Sequence, residues 1–346
     1  MTNTFSISTI FWRLALWLCV ALVLFITAAA LLTDYHKVIG LLTTISPAYL
    51  ITIIAAVLFN YALRFIKWNW FLGILGIRVP LKLNLWIFFS AFTMVLSPAK
   101  LGELVKSFLL KSRLGISVAR TAPVVVAERL TDLLGLLILC AIGFSQFTFG
   151  GRTLALVAVV MTAGILAITR PAFWGMLDRL LSGKARLAKI RNSIQAMQQS
   201  TRDLLSLKSL AFSVPLSALS WGGEGVALYL IFKSMGLELP SLLAISLFAH
   251  AFSSIAGAIS FLPGGLLVAE GSMGAFFVCA GVPDAAAVSA TFLIRAVTLW
   301  FAVLLGTIVF MLGYNQDDLQ TLQNKAEVAP ETTSTQTLKE SADEPA

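Results

Sequence analysis

Long uncharged runs constrain this chain more than any other feature of its sequence. A membrane-spanning helix needs about 20 mostly apolar residues, and seven uncharged runs approach or exceed that length: Leu14–Thr33, Val38–Leu63, Leu83–Ala99, Leu133–Gly151, Thr153–Thr169, Pro240–Ala269 and Ala296–Asn315. The chain is 58% hydrophobic and only 12% charged. A soluble domain cannot bury so much apolar surface, since ordinary composition is about 45–50% apolar and about 25% charged. The sequence therefore predicts an all-α polytopic membrane helical bundle.

The charges divide into an acidic end and a basic remainder. From Gln316 onward there are seven acids and two lysines, which leaves 23 basic and 10 acidic residues in the preceding chain. In a membrane protein this basic excess indicates orientation and contact with anionic lipid, so no nucleic-acid partner is predicted. The three cysteines lack pairing or metal-ligand spacing, and two histidines cannot form a histidine metal cluster. No metal or cofactor is predicted.

The runs and their connections predict about six full spans and two re-entrant helical hairpins. Within the first run, three alanines follow an apolar stretch, as at the cleavage site of a signal peptide. The apolar residues continue through Leu32, which favours a retained helix over cleavage. With a cytoplasmic amino terminus, the spans are 13–33, 47–66, 118–145, 153–170, 209–232 and 284–312. The predicted units are N-terminal helices 1–82, a first repeat unit 83–145, connecting spans 146–240, a second repeat unit 241–313 and a disordered acidic cytoplasmic tail 314–346.

Two apolar segments are interrupted by helix-breaking residues. Segment 83–97 meets Pro98 and Gly102, and helix 101–112 is then only about 18 Å long at about 1.5 Å per residue, too short to complete a crossing. Segment 241–260 is interrupted in the same way by "FLPGG", and helix 268–280 follows. The predicted breaks are Pro98, Gly102, Pro263, Gly264 and Gly265. Each interrupted segment is predicted to return to the side from which it entered.

The longest polar connection is predicted to be a basic interfacial helix. In 171–208 apolar residues recur at helical spacing, while lysines and arginines fall largely on other faces, as in a helix lying on an anionic leaflet. A solvated connecting helix fits equally well. The resulting topology places 15 basic residues of the non-membrane segments inside and three outside, which satisfies the positive-inside rule. Both termini are therefore predicted to be cytoplasmic, in a bacterial plasma membrane.

The two interrupted segments begin matching series of landmarks. "LGISVARTAPVVVAERL" (114–130) and "AGVPDAAAVSATFLIRA" (280–296) each place an arginine 14 residues after a glycine. Glu103 precedes the first glycine by 12 residues, and Glu270 precedes the second by 11. Each series therefore contains a proline break, a glutamate, a short helix and a long helix with an embedded arginine. Because the two units enter from opposite sides, they are predicted to form an inverted repeat, which is a transporter architecture.

Ionisable residues in the membrane are costly, at about 2.5–3.5 kcal/mol each on insertion scales, and they are therefore candidates for a functional site. Glu128 and Asp132 share a helix face, with Arg129 within reach of Asp132, and Lys106 lies one turn after Glu103. These pairs are consistent with an internal ion-pair network and equally with a polar translocation path. The predicted headgroup-binding residues are Glu103, Lys106, Glu128, Arg129, Asp132, Glu270, Arg295 and Arg64.

Individual roles follow from residue chemistry. Arg129 and Arg295, at matched repeat positions, are suited to an anionic group such as a lipid phosphate. Arg64, although included above, is with Lys67 expected mainly to snorkel to the inner interface. Glu224 has no partner nearby in the sequence and is a weak candidate. His250 is expected to be a hydrogen-bonded core residue.

Five stretches resemble the lysylphosphatidylglycerol synthase transmembrane-region family, which includes the flippase portion of bacterial multiple-peptide-resistance proteins. They are "ALRFIKWNWFLGILG" (62–76), "SPAKLGELVKSFLLKSRLG" (97–115), "VVVAERLTDLLGL" (124–136), "LPGGLLVAEG" (262–271) and "LIRAV" (293–297). The PxxxGE and ERxxD elements are the most specific. The resemblance implies a lipid translocator or a partner of lipid-pathway enzymes, with the charged residues above lining the headgroup path.

The chain also departs from that family. Leu267 replaces an expected glycine before Glu270, and no aminoacyl-transfer domain follows the last span, so synthesis of an aminoacylated lipid is not expected. The leading hypothesis is a flippase for an anionic or aminoacylated phospholipid or a polyprenyl-linked lipid, and not an enzyme. Two alternatives remain: a membrane glycosyltransferase acting on polyprenyl lipid, and a non-transporting scaffold of a lipid-synthesis complex. The expected partners are membrane lipids, with lipid-synthesis enzymes as candidates.

Overall fold

A computed structural model describes residues 45–97, 102–143 and 188–313, with a few isolated positions elsewhere. Regular structure in these ranges is entirely helical. The helices are α1 (Pro47–Ile74), α2 (Leu81–Ser90), α3 (Val105–Leu114), α4 (Val118–Gly143), α5 (Ala188–Leu204), α6 (Leu207–Ser234), α7 (Leu242–Ile259), α8 (Val268–Cys279), α9 (Asp284–Arg295) and α10 (Phe301–Gly313).

The chain is a polytopic membrane protein. In the described ranges, four helices are long and apolar enough to cross a bilayer: α1, α6, α7, and α9 continued by α10. Helix α4 has 26 residues but carries three charged side chains in its middle, Glu128, Arg129 and Asp132. The predicted spans 47–66, 209–232 and 284–312 are helical, and the predicted span 118–145 is helical through Gly143. Predicted spans 13–33 and 153–170 and the tail 314–346 lie outside the described residues.

Helices α1 and α6 pack side by side and form the centre of the bundle. Ser46 and Ser206 cap their amino termini, each accepting a hydrogen bond from the backbone N–H three residues later. In the middle, Asn60 Nδ2 donates to Ser220 O at 2.9 Å, and Ser220 Oγ donates to Asn60 O at 3.2 Å. These hydrogen bonds from buried side chains to backbone carbonyls of the facing helix fix the register of two otherwise apolar helices.

Small residues bring α4 against α6. A Cβ atom on Gly135 would lie 2.7 Å from Ala218 N and 2.8 Å from the Ser217 side chain. Any side chain at this position would therefore separate the two helices. The close approach places the charged middle of α4 beside the serine-rich face of α6, where Ser213, Ser217 and Ser220 are buried.

The described part of the basic connection, α5, packs its carboxyl-terminal turns against α4. Ser200, Thr201 and Leu204 are buried there. This end of the helix is part of the protein core, in contrast to the predicted helix on the membrane surface or in solvent. Most of the preceding basic segment lies outside the described residues.

The chain departs from regular helix between α2 and α3, in the region of the first predicted break. After Ser90 the chain tightens into a 3₁₀ turn, Ala91–Met94, and a further 3₁₀ turn over 102–104 leads into the regular helix that begins at Val105. Gly102 is required here, since a Cβ atom would collide with Met94, and its N–H donates to Ser97 Oγ at 2.6 Å. Pro98 lies outside the described residues. Helices α2 and α3, of 10 residues each, are about 15 Å long, which is too short to cross a bilayer.

The chain departs from regular helix between α7 and α8, at the position of the second predicted break. Pro263–Gly265 forms a 3₁₀ turn in which Gly264 and Gly265 have positive φ angles of 61° and 67°. A Cβ atom on Gly265 would also lie 2.8 Å from Gly257 Cα, so the turn packs directly on α7. Helix α7, which precedes this turn, has 18 residues, and its apolar sequence contains no proline or charged residue. It is therefore long enough to cross a bilayer, whereas α8, with 12 residues, is not.

Leu267 occupies a backbone conformation that normally requires glycine. Its φ is 69° and its ψ is −44°, immediately before the first turn of α8. Its side chain is largely exposed, so replacement by glycine removes little packing. We expect Leu267→Gly to stabilise the protein by about 1 kcal/mol, because a left-handed conformation costs a side-chain-bearing residue about 1–2 kcal/mol. Detergent-induced unfolding measures the gain, and a loss of stability would contradict the strain described here.

A π-helical turn, Ala296–Trp300, joins α9 to α10 immediately after Arg295. Such turns displace the regular backbone ladder and are frequent at functional sites. The carbonyl of Thr298 in this turn accepts a hydrogen bond from Tyr61 Oη on α1 at 2.7 Å. The predicted span 284–312 is therefore helical throughout, but its helix changes to π geometry immediately after Arg295.

Candidate functional site

Seven charged side chains meet inside the bundle. Six are buried, whereas the Arg129 side chain retains 23% of its exposure. Four are positive and three negative, and they come from α1, from the 3₁₀ turn 102–104, from the first turn of α3, and from α4. We call them the charged cluster: Arg64, Lys67, Glu103, Lys106, Glu128, Arg129 and Asp132.

Glu103 lies at the centre of the charged cluster. Its carboxylate is 2.9 Å from Arg129 Nη2, 3.5 Å from Arg64 Nη2 and 3.8 Å from Lys106 Nζ. The break before α3 therefore brings a carboxylate to cations from two long helices. This observation explains why a glutamate follows a proline and a glycine inside an apolar segment.

The other two carboxylates complete the network. Glu128 pairs with Lys106, whose ammonium also lies 4.5 Å from the Trp68 ring centroid. Asp132 pairs with Lys67 and lies 3.1 Å from Arg129 Nη2. The Lys67 ammonium also donates to Ser217 Oγ on α6 at 2.6 Å. The cluster is therefore held by three helices and by the glycine contact between α4 and α6.

These contacts test the predictions for individual residues. The one-turn pairs Glu103–Lys106 and Arg129–Asp132 are present, and the remaining pairs in the cluster join different helices. The expectation that Arg64 and Lys67 snorkel to the interface is wrong, because both are buried, Lys67 with only 1% exposure. Asn60, Arg64 and Lys67 recur at spacings of four and three, so a polar stripe facing the bundle interior was the available signal.

A second ion pair joins Glu270 of α8 to Arg295 of α9. Arg295 Nε lies 2.5 Å from Glu270 Oε1, and its Nη2 donates to the carbonyl of Gly264 at 2.7 Å. The arginine thus also holds the second break. Glu103–Arg129 is the same type of pair, in which the glutamate beside a break contacts the arginine of the following long helix. The residues matched by sequence spacing therefore make matched contacts.

A third polar pair was not predicted. His250 Nε2 of α7 lies 3.0 Å from Glu224 Oε2 of α6, and both side chains are buried. The prediction that His250 is a hydrogen-bonded core residue is confirmed. Its partner could not be recognised because the two residues are 26 positions apart on different helices.

Two adjoining cavities are lined by residues of the charged cluster, of the Glu270–Arg295 pair and of the Glu224–His250 pair. A cavity of about 170 Å³ is bounded by Arg129, Asp132 and apolar residues of α4. A smaller one of about 70 Å³ is bounded by Arg64, Glu224, His250 and Arg295. Both are lined by Trp221, Ser254, Gly257, Ala258 and Gly265. In the described ranges, no group of three His, Cys, Asp or Glu side chains is arranged to hold a metal ion.

Buried charges paired between short interrupted helices and long spans define a class of membrane protein with a polar interior. The chain belongs to the lysylphosphatidylglycerol synthase transmembrane-region family, since that family's sequence model matches residues 10–306. This membership confirms the resemblance seen in the sequence and associates the chain with lipid-related pathways.

Archaeal membrane proteins are similar to the chain along most of its length. A UPF0104 membrane protein of Methanothermobacter thermautotrophicus is 28% identical over 269 residues, which cover 71% of this chain and 78% of the relative. A UPF0104 membrane protein of Pyrococcus horikoshii is 26% identical, covering 71% of this chain and 81% of the relative. One from Methanocaldococcus jannaschii is 26% identical, covering 62% and 91% respectively.

Proposed function

We propose that this protein is a lipid flippase that moves an anionic or aminoacylated phospholipid, or a polyprenyl-linked lipid, across the membrane. The observation that carries the proposal is the buried charged cluster bordering a cavity through Arg129. A network that served packing alone would add little to the stability of the fold, because the attraction within a buried ion pair barely offsets the cost of removing both charges from water. Intramembrane charges that border a cavity are typical of substrate paths.

Arg129 is the residue best placed to receive a headgroup. Its side chain is partly exposed and lines the larger cavity. Within the described part of the chain, its Nε has no hydrogen-bond partner although it is buried. A guanidinium presents its donors in a planar fork that matches the oxygens of a phosphate. A headgroup phosphate would complete the donor set of Arg129, while its acyl chains remain in lipid.

The matched pairs support an inverted repeat. Glu103–Arg129 and Glu270–Arg295 join equivalent elements of the two units, and the breaks beside them contact protein, as non-helical backbone at membrane depth must. In the proposed topology the first unit enters from the cytoplasm and the second from outside. Movement of one unit against the other would then alternate access to the cavities. Both termini would be cytoplasmic, in a bacterial plasma membrane, and no catalytic step would be required.

The proposed headgroup contacts predict the effect of removing both arginines. In vesicles of phosphatidylcholine with a trace of acyl-NBD-labelled phosphatidylglycerol, dithionite bleaching measures the rate at which the inner label reaches the outer leaflet. We expect Arg129→Ala/Arg295→Ala to lower that rate by about 100-fold or more, because each of the two arginines would lose a hydrogen bond to a charged group worth about 1.5–3 kcal/mol.

The matched control is Arg78→Ala/Arg202→Ala, which removes two exposed arginines and should keep the wild-type rate. Circular dichroism and gel filtration establish that both variants are folded. Equal rates for wild type and Arg129→Ala/Arg295→Ala would refute the assigned roles. Wild-type vesicles that bleach no faster than empty ones would favour the scaffold or enzyme alternatives.

A further inference from the structure

The pair formed by Glu224 and His250 is separate from the charged cluster. His250 is only 4% exposed and Glu224 only 6%. The pair joins the two long helices α6 and α7, and the Trp221 ring lies 6.1 Å from the imidazole, centroid to centroid. Neither residue contacts Arg129 or Glu270, yet both line the smaller cavity together with Arg64 and Arg295.

The geometry of the pair fixes where a proton can bind. An ionised carboxylate only accepts hydrogen bonds, so Nε2, 3.0 Å from Glu224 Oε2, must carry the N–H in the neutral imidazole. The lone pair is then on Nδ1. Among the described residues this buried Nδ1 has no hydrogen-bond partner. A proton taken up from water would bind there, and no other bond would change.

The charge of the pair acts on a cavity that is also lined by other charged side chains. Helix α1 contributes Tyr61 and Arg64 to the same cavity, and α9 contributes Arg295, which is held by Glu270 of α8. Helix α4 presents its titratable residues, Arg129 and Asp132, to the adjoining cavity. No residue of α5 lines either cavity. Protonating His250 changes the pair from one negative charge to none, which makes the cavity more favourable for an anion.

We infer that the Glu224–His250 pair is a proton-binding site, and that its proton and the anionic headgroup of the cargo bind cooperatively. Protonation would remove the net negative charge of the pair from the cavity that Arg64 and Arg295 also line, so an anionic headgroup would meet less repulsion there. Linkage requires the converse as well, so a bound headgroup raises proton affinity. The inference rests on the proposed function for the identity of the cargo, while the proton site itself does not.

The chain contains only two histidines, which makes the site directly observable. A His36→Gln variant, labelled with ¹⁵N-histidine and placed in phosphatidylcholine nanodiscs, reports His250 alone. We expect its imidazole ¹⁵N shifts to change as the pH of the nanodisc sample is varied, because protonation of Nδ1 alters both ring nitrogens. In the matched variant with Glu224→Gln, the pH midpoint of this change should differ, because the carboxylate that accepts the Nε2 hydrogen bond is gone. An unchanging signal in the first variant, or identical midpoints, would overturn the proton site.

Coupling requires a second measurement in the vesicles described above. With wild type, NBD-phosphatidylglycerol translocation should accelerate about 5-fold or more when both compartments are shifted from pH 8 to pH 6, within the range of ordinary couplings. The His250→Asn variant should translocate at a rate independent of pH. Acceleration that persists in His250→Asn would overturn the coupling. If no variant translocates lipid, the flippase proposal fails, whereas the nanodisc titration still decides the proton site.

Discussion

Replacing Lys67 by methionine is expected to destabilise the protein by about 3–5 kcal/mol. Lys67 is buried and pairs with Asp132, so its removal leaves a carboxylate inside the bundle with Arg129 as its one remaining ion-pair partner among the described residues. Breaking a buried ion pair by removing one partner costs this much because the remaining charge is uncompensated. Unfolding in mixed micelles with increasing dodecyl sulfate, followed by tryptophan fluorescence, measures the change.

Two further variants show whether the loss comes from the pair. Lys67→Met/Asp132→Leu removes both charges and should recover most of the stability, since apolar side chains can replace a buried pair at little cost. Lys82→Met removes an exposed lysine and should change the unfolding free energy by less than about 0.5 kcal/mol. If Lys67→Met is as stable as Lys82→Met, Lys67 does not form the buried pair described here.

Replacing Gly265 by alanine should destabilise the protein by about 2–5 kcal/mol. The φ angle of 67° at this position costs an alanine about 1–2 kcal/mol. The added methyl group would also lie 2.8 Å from Gly257 Cα, and overpacking of this kind costs about 1–3 kcal/mol. Since Arg295 binds the carbonyl of the neighbouring Gly264, we also expect lipid translocation to be lost.

The control is Gly271→Ala, three residues into α8. A Cβ atom there meets no other atom within 4 Å, and alanine is a better helix former than glycine. This variant should be as stable as the wild type or more stable by about 1 kcal/mol, with unchanged translocation. Equal effects of the two substitutions in the unfolding and translocation assays would show that the second break does not require glycine.

Sequence alone predicted the two breaks because proline and glycine act locally. Gly102 lies just before the first turn of α3, and Gly264 and Gly265 adopt positive φ angles that a regular helix does not contain. The structure has an interruption at both places. The one-turn pairs Glu103–Lys106 and Arg129–Asp132 were also predictable, since their spacing puts both partners on one side of a helix.

Predictions failed where the outcome depended on packing between helices. Lys67 has the sequence context of an interfacial lysine, and only the approach of α4 and α6 surrounds it with Asp132 and Ser217. The α7 segment, predicted as part of a re-entrant hairpin, has 18 residues, a length that could also cross a bilayer, so its depth in the membrane stays a prediction. Nothing local to the sequence sets the depth at which a continuous apolar helix ends.

The sequence by itself determined that this chain is an all-α membrane protein, where two of its helices are interrupted, and which few residues bring charge into the membrane. These properties depend on hydrophobicity, charge and backbone conformation, which act over one or a few neighbouring residues. Only the tertiary structure decided that Glu103 meets Arg129, that Glu270 meets Arg295 and that Glu224 meets His250. Each of those pairs joins two helices, and the distance between helices depends on side-chain packing along their whole length.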